Sequence, residues 1–142
     1  MNQRSSLIYS LFFLLLTAVL VSCDKDKDVA TPKPNILVGR WDLYQTSGGF
    51  AGNTMEIAAG TSQLEFTADS TVRFYDKGKL VDTRQYSVRA STSPADGTPA
   101  QMIFYIVPGA RYSPQHLEVS NDQLILTDDM ADGYVHRYRR IK

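Results

Sequence analysis

The sequence predicts an all-β fold: a small eight-stranded antiparallel up-and-down barrel. Three observations point there. No segment sustains the i, i+3, i+4 apolar stripe of an amphipathic helix. Beyond residue 36, short alternating runs are separated by turn clusters every 8 to 15 residues, the spacing of an all-β domain. The runs number eight and follow one another through short, mostly hairpin-type connections. That is the count and order at which a meander closes on itself, and closure removes the edges that invite aggregation.

The first run, 39–46, places Trp41 and Leu43 on one face. A glycine-rich loop, 47–53, follows it. Residues 54–59 fit either a turn of helix or an extended excursion. Residues 63–67 carry Leu64 and Phe66 on one side, and residues 71–76 carry Val72 and Phe74. Lys77-Gly78-Lys79 is a hairpin turn, because glycine accepts the positive φ such a turn demands. Residues 80–89 return with Tyr86 and Val88 on one face. A polar loop, 91–100, contains Pro94, Gly97 and Pro99. Residues 101–107 hold the unbroken apolar run Met102 to Val107, which predicts a strand covered on both sides or protected by closure. The last three strands are 116–120, 123–127 and 134–141, with turns at 121–122 and 128–133.

Ahead of this domain lie two unlike segments. Arg4 is the only charge before Asp24, and residues 7–21 form an apolar run broken only by Ser10 and Thr17. That is short of the roughly 20 residues needed to span a bilayer, and it reads as the hydrophobic region of an export signal. It ends in Leu20-Val21-Ser22-Cys23. These four residues resemble the lipobox of bacterial lipoproteins. The resemblance implies that the Cys23 thiol receives a diacylglycerol, that residues 1–22 are removed, and that the new amino terminus is acylated. Two or more acyl chains hold firmly where one holds marginally. Cys23 is the only cysteine, so the domain has no disulfide to lean on.

Residues 23–35 then form a tether. Asp24-Lys25-Asp26-Lys27-Asp28 alternates in charge, and Pro32 and Pro34 keep the next stretch extended. Acidic residues just after the cysteine resemble the surface-export signal of some Gram-negative lipoproteins, and a merely soluble spacer is the other reading. The expected location is therefore a bacterial membrane, an outer membrane in particular, with the domain facing the periplasm or the outside.

Leu37-Val38-Gly39-Arg40-Trp41 resembles the Gly-x-Trp opening of lipocalin-like (calycin-type) domains. The resemblance implies that Trp41 closes one end of the barrel and that a basic residue late in the final strand packs across it. The final strand has Tyr134, His136, Tyr138 and Arg140 on one face, and Arg140 is the expected partner of Trp41. Phe66, Phe74, Tyr86, Tyr134 and Tyr138 are the candidate lining of the interior. Compared with full lipocalins the chain is much shorter, lacks disulfides and lacks a clear C-terminal helix.

Charge excludes one function class. Fifteen Lys and Arg balance fifteen Asp and Glu, and a neutral chain has no basic face to displace counterions from nucleic acid. No metal is expected. The two histidines, His116 and His136, have no cysteine and no second histidine at helical spacing, and both read as surface strand residues. No Gly-x-Ser-x-Gly elbow and no phosphate-binding glycine motif exists, so neither a cofactor nor an enzymatic reaction is expected. Asp128 to Gly133 fails the calcium-loop pattern, with Met130 and Arg139 where ligands should stand. Two functions stay open. The barrel binds a small apolar or amphipathic ligand, or a solid-core barrel presents loops 47–53, 91–100 and 108–115 to a protein or glycan, as small periplasmic lysozyme inhibitors do.

Overall fold

The computed structural model describes residues 34–109 and 112–142. Cys23, the signal and the tether up to residue 33 lie outside the described residues. One turn of helix, α1 (Pro34–Leu37), leads into nine strands: β1 (Gly39–Gly48), β2 (Asn53–Glu56), β3 (Ser62–Phe66), β4 (Thr71–Asp76), β5 (Lys79–Thr92), β6 (Pro99–Ile106), β7 (Gln115–Val119), β8 (Gln123–Asp128) and β9 (Tyr134–Arg140). Strands β3 to β9 pair in sequence order, all antiparallel. β1 closes the ring by pairing with β9 on one side, Trp41 opposite Arg140 and Gly48 opposite Tyr134, and with β3 on the other. Eight strands thus make the closed barrel, lipocalin-like in form.

The ninth strand resolves the ambiguous stretch after the glycine loop. Gly48 has φ +131° and lies where a Cβ would fall 2.3 Å from the Gly133 carbonyl oxygen. Only glycine fits there, and the chain reverses at that point. Residues 53–56 then run back along the second half of β1, Gln45 opposite Glu56. β2 and β3 share one edge of β1, separated by the 57–61 excursion. Asp42 pins that excursion, its Oδ1 accepting the Gly60 N–H at 2.9 Å and the Gln63 Nε2–H at 3.2 Å.

The strand directions give the barrel two unlike ends. At one end lie α1 and the starts of β1, β4 and β8. The interior there is packed with Leu37, Trp41, Phe66, Val72 and Leu124. Each fully buried side chain of this kind contributes about 1.5–3 kcal/mol. At the other end are the β1–β2, β4–β5, β6–β7 and β8–β9 connections. β6 and β7 pair only through Met102 with His116 and Ile103 with Gln115, so residues 104–106 stay paired with β5 but have no partner on β7, and the wall parts there.

The apolar run of β6 is covered unevenly. Ile103 joins the core cluster, and Met102 on the opposite face is 0% exposed. The connection after β5 folds back along the outside of the barrel. There Ser93 Oγ donates to Asp129 Oδ1 at 2.6 Å and Ala95 N–H to the same oxygen at 3.3 Å. Ile106, beyond this cover, is exposed. The basic and aromatic residues of the outer surface pair with one another: Arg89 over Phe104 at 4.2 Å, Arg139 over Tyr44 at 4.6 Å. The mixed C-terminal Arg and Tyr cluster is thus an outer strand face in part.

Candidate functional site

The sealed end is built around Trp41, which is 0% exposed. Its Nε1–H donates to the Leu37 carbonyl at 2.9 Å, fixing α1 across the barrel. The Arg140 guanidinium lies over the indole at 4.0 Å. The same group donates to the carbonyls of Ile36, Val38 and Asn121. Gly39 has φ +137°, and a Cβ there would fall 2.4 Å from Arg140 Nη1. The glycine, the tryptophan and the arginine are one device. Glycine leaves room for the guanidinium that covers the ring.

Phe66 and Tyr86 lie deep, ring to ring at 5.1 Å and nearly perpendicular. The Tyr86 hydroxyl donates to the Thr67 carbonyl at 3.3 Å. Phe66 belongs to the packed core, and Tyr86 packs half-buried against it. Phe74 and Tyr138 stand higher, where packing gives way to a cavity of about 340 Å³. Leu64, Phe74, Leu126 and Tyr138 form its apolar walls, and Arg84, Gln115, Asp128 and His136 its polar side, with Tyr112, Ser113 and Met130 toward the opening. Tyr134 is 41% exposed and stays outside the lining, its ring stacked on His136 at 6.2 Å. It shares a face with Tyr138 but sits four residues nearer the rim.

A chain of hydrogen bonds organises the polar side. The Tyr105 hydroxyl donates to Gln115 Oε1 at 3.0 Å, and Gln115 Nε2–H donates to Asp128 Oδ1 at 2.7 Å. Asp128 Oδ2 accepts the Tyr134 N–H at 3.1 Å. His136 Nε2 stands 3.8 Å from Asp128 Oδ1, and its Nδ1 shares a hydrogen bond with Thr46 Oγ1 at 3.3 Å. Burial pushes the His136 imidazole below its ordinary value, with Asp128 pulling the other way. His136 is therefore a lining residue instead of a surface one, because it alternates with Tyr138 on the inward face. Burial also drives the Tyr105 and Tyr138 hydroxyls well above the ordinary phenol range. Among the described residues, the Tyr138 hydroxyl has no hydrogen-bond partner.

Arg84 points inward at the opening. Its Nε–H and Nη2–H reach Asp82 Oδ2 at 2.7 Å. Its guanidinium lies 4.7 Å from the Phe74 ring, 4.6 Å from Tyr112 and 5.9 Å from Tyr105. The cation is held by rings and one carboxylate, an arrangement that lets it stand in a partly apolar place.

Of the sequence-expected residues, the structure brings Trp41 to Arg140, and Phe74 to Tyr138 around the cavity. It leaves Phe66 in the core, Tyr86 half-buried against that core, and Tyr134 at the rim. The residues missed are Arg84, Tyr105, Gln115, Asp128 and His136. Two had a signal: Arg84 is two before the inward Tyr86, and His136 two before Tyr138. No group of three or more His, Cys, Asp or Glu among the described residues is placed to hold a metal ion. No family model matches the chain, and neither does a curated protein or a solved structure. The fold alone therefore defines the class: a lipocalin-like barrel, sealed at one end and hollow toward the other.

Proposed function

We propose that this chain is a lipid-anchored, non-enzymatic binding module whose barrel takes a small amphipathic ligand. The observation that carries it is the cavity, with apolar walls, a polar side and the unpartnered Tyr138 hydroxyl. Ligand sites have this composition, and they run from about 300 to 1,000 Å³. At about 340 Å³ the cavity takes a compact ligand and not a long acyl chain. Anchoring through acylated Cys23 rests on the lipobox residues, and it would hold the module at a bacterial membrane, the outer membrane in this reading.

The test is native mass spectrometry and solvent extraction of the purified full chain, beside a Ser113→Trp variant. Ser113 is exposed at the opening, so the indole fills the mouth without disturbing the core. The expected result is a copurifying small molecule that the variant loses at unchanged melting temperature. A ligand-free wild type that also takes up no amphipathic probe dye overturns the reading. A second reading has one observation behind it. Phe50, at the tip of the glycine loop, is 96% exposed, as a protein-contacting loop residue would be.

A further inference from the structure

A second concave site lies on the outside of the barrel. It is a groove of about 490 Å³ between the 93–96 segment, β7 and the β8–β9 turn. Four carboxylates line it, Asp96, Glu118, Asp128 and Asp129, with His116 as the only basic side chain. Among the described residues none of the four is ion-paired with a lysine or an arginine.

Asp129 is the centre of the groove. Its side chain is 0% exposed. Oδ1 accepts from Ser93 Oγ at 2.6 Å, from Ala95 N–H at 3.3 Å, and lies 3.2 Å from His116 Nε2. Oδ2 is buried and has no partner. Burial opposes ionisation, yet the hydrogen bonds from Ser93, His116 and Ala95 outweigh it and hold the carboxyl below its ordinary value. A buried carboxylate with one oxygen unpaired is costly, and its charge adds to the negative field of the groove.

We propose that this groove is a second binding site, on the outer side of the wall it shares with the barrel cavity through Asp128 and Met130, and that it takes a primary alkylammonium group. A metal ion is the wrong guest. Metals need several bare oxygens converging on one point. Here Asp96 Oδ1 already accepts the Thr98 N–H at 2.9 Å and the Thr98 hydroxyl at 2.7 Å, and both Asp128 oxygens are engaged. An ammonium asks less. It carries three donors, is drawn by the summed negative field, and brings an alkyl stem. Ala95, Met130 and Ala131 offer that stem apolar surface.

The experiment is a ¹⁵N-NMR titration of the full chain in detergent with n-butylammonium, at constant ionic strength. The parallel arms are a blocked Gly-Lys-Gly peptide, tetramethylammonium and calcium. The expected result is saturable one-site shifts confined to the amides of 93–96, 116–118 and 127–131, for butylammonium or the lysine peptide. The tighter of those two names the source, a free amine or a protein lysine. Glu118→Gln, exposed and outside every hydrogen bond described, should keep the melting temperature and weaken binding about two- to fivefold, the range of a partly exposed ion pair. Shifts of equal size with tetramethylammonium mean field screening alone and overturn the proposal. So do tighter saturable binding of calcium and an unchanged affinity in Glu118→Gln.

Discussion

Removing Arg140 should open the sealed end, and Gly39 supplies an internal control. In Arg140→Ala the stacking on Trp41 is lost, about 0.5–2 kcal/mol for a cation over an aromatic face. The Ile36, Val38 and Asn121 carbonyls also lose their donor, at about 1 kcal/mol for each that water replaces poorly. Together these come to about 3 kcal/mol. For a domain near 100 residues that lowers the melting temperature by about 12–24 °C. Gly39→Ala has two separate costs. One is backbone strain at φ +137°, about 1–3 kcal/mol. The other is eviction of the guanidinium, since the new Cβ would fall 2.4 Å from Arg140 Nη1. With Arg140 already gone, only the strain remains. The double variant should therefore be less destabilised than the sum of the two singles, by about 2 kcal/mol. Urea unfolding followed by fluorescence measures this directly, because Trp41 is the only tryptophan. A loss below about 1 kcal/mol for Arg140→Ala, or strict additivity of the pair, refutes the shared device.

Burial disfavours the charged form of His136 and outweighs the pull of Asp128, so its folded value lies below its unfolded one near 6.5. Above that pH both states are neutral and nothing is lost. As pH falls through 6.5 the unfolded chain takes up the proton first, and stability declines toward pH 5. Thermal melts from pH 7.5 to 5 should show the slope in the wild type and lose it in His136→Gln. An identical slope in both removes His136 as its source. Acid groups held low, such as Asp96 at about 2, act in a separate window below pH 4. Ser93→Ala removes a donor to Asp129 and the acceptor of the Ala95 and Asp96 N–H groups. It should cost about 1–3 kcal/mol and speed hydrogen exchange at 93–98, whereas unchanged exchange means that segment is held otherwise. Cys23→Ala should leave an uncleaved, unacylated precursor by mass spectrometry, and normal processing of the variant ends the lipoprotein reading.

The barrel was legible because burial on one face leaves a period-two trace. Leu64 and Phe66, Val72 and Phe74, Leu124 and Leu126 all announce their strands. β2 left no such trace. Asn53 to Glu56 is exposed on both faces, so no apolar alternation exists to find, and the β1 ladder with the Gln45–Glu56 side-chain hydrogen bond holds it. The groove around Asp129 was equally silent. It depends on a loop doubling back from β5 to a turn 36 residues later, and no local pattern records a contact of that separation. The order within the sealed end was easier, since Gly39 and Trp41 are neighbours and Arg140 sits directly opposite Trp41 in register.

Why the barrel is solid at one end and hollow at the other follows from which residues alternate inward. Near the sealed end the inward positions are Phe66, Val72 and Ile103, apolar and close-packed. Toward the other end, β5, β7, β8 and β9 turn Arg84, Gln115, Asp128 and His136 to the cavity. A packed apolar centre would strip water from these groups at a cost of several kcal/mol each. They are tolerated because Gln115 and His136 pair with Asp128, Arg84 pairs with Asp82, and all four face a space. A change that only filled that space with carbon, such as Gln115→Leu, would break the bonds from Tyr105 and to Asp128. It would strand the Tyr105 hydroxyl and take from Asp128 Oδ1 its amide donor, and so should destabilise the barrel while adding apolar area. The hollow is written into the sequence as inward polarity, and it is the polar network, with only two residue pairs joining β6 to β7, that keeps the open end from closing.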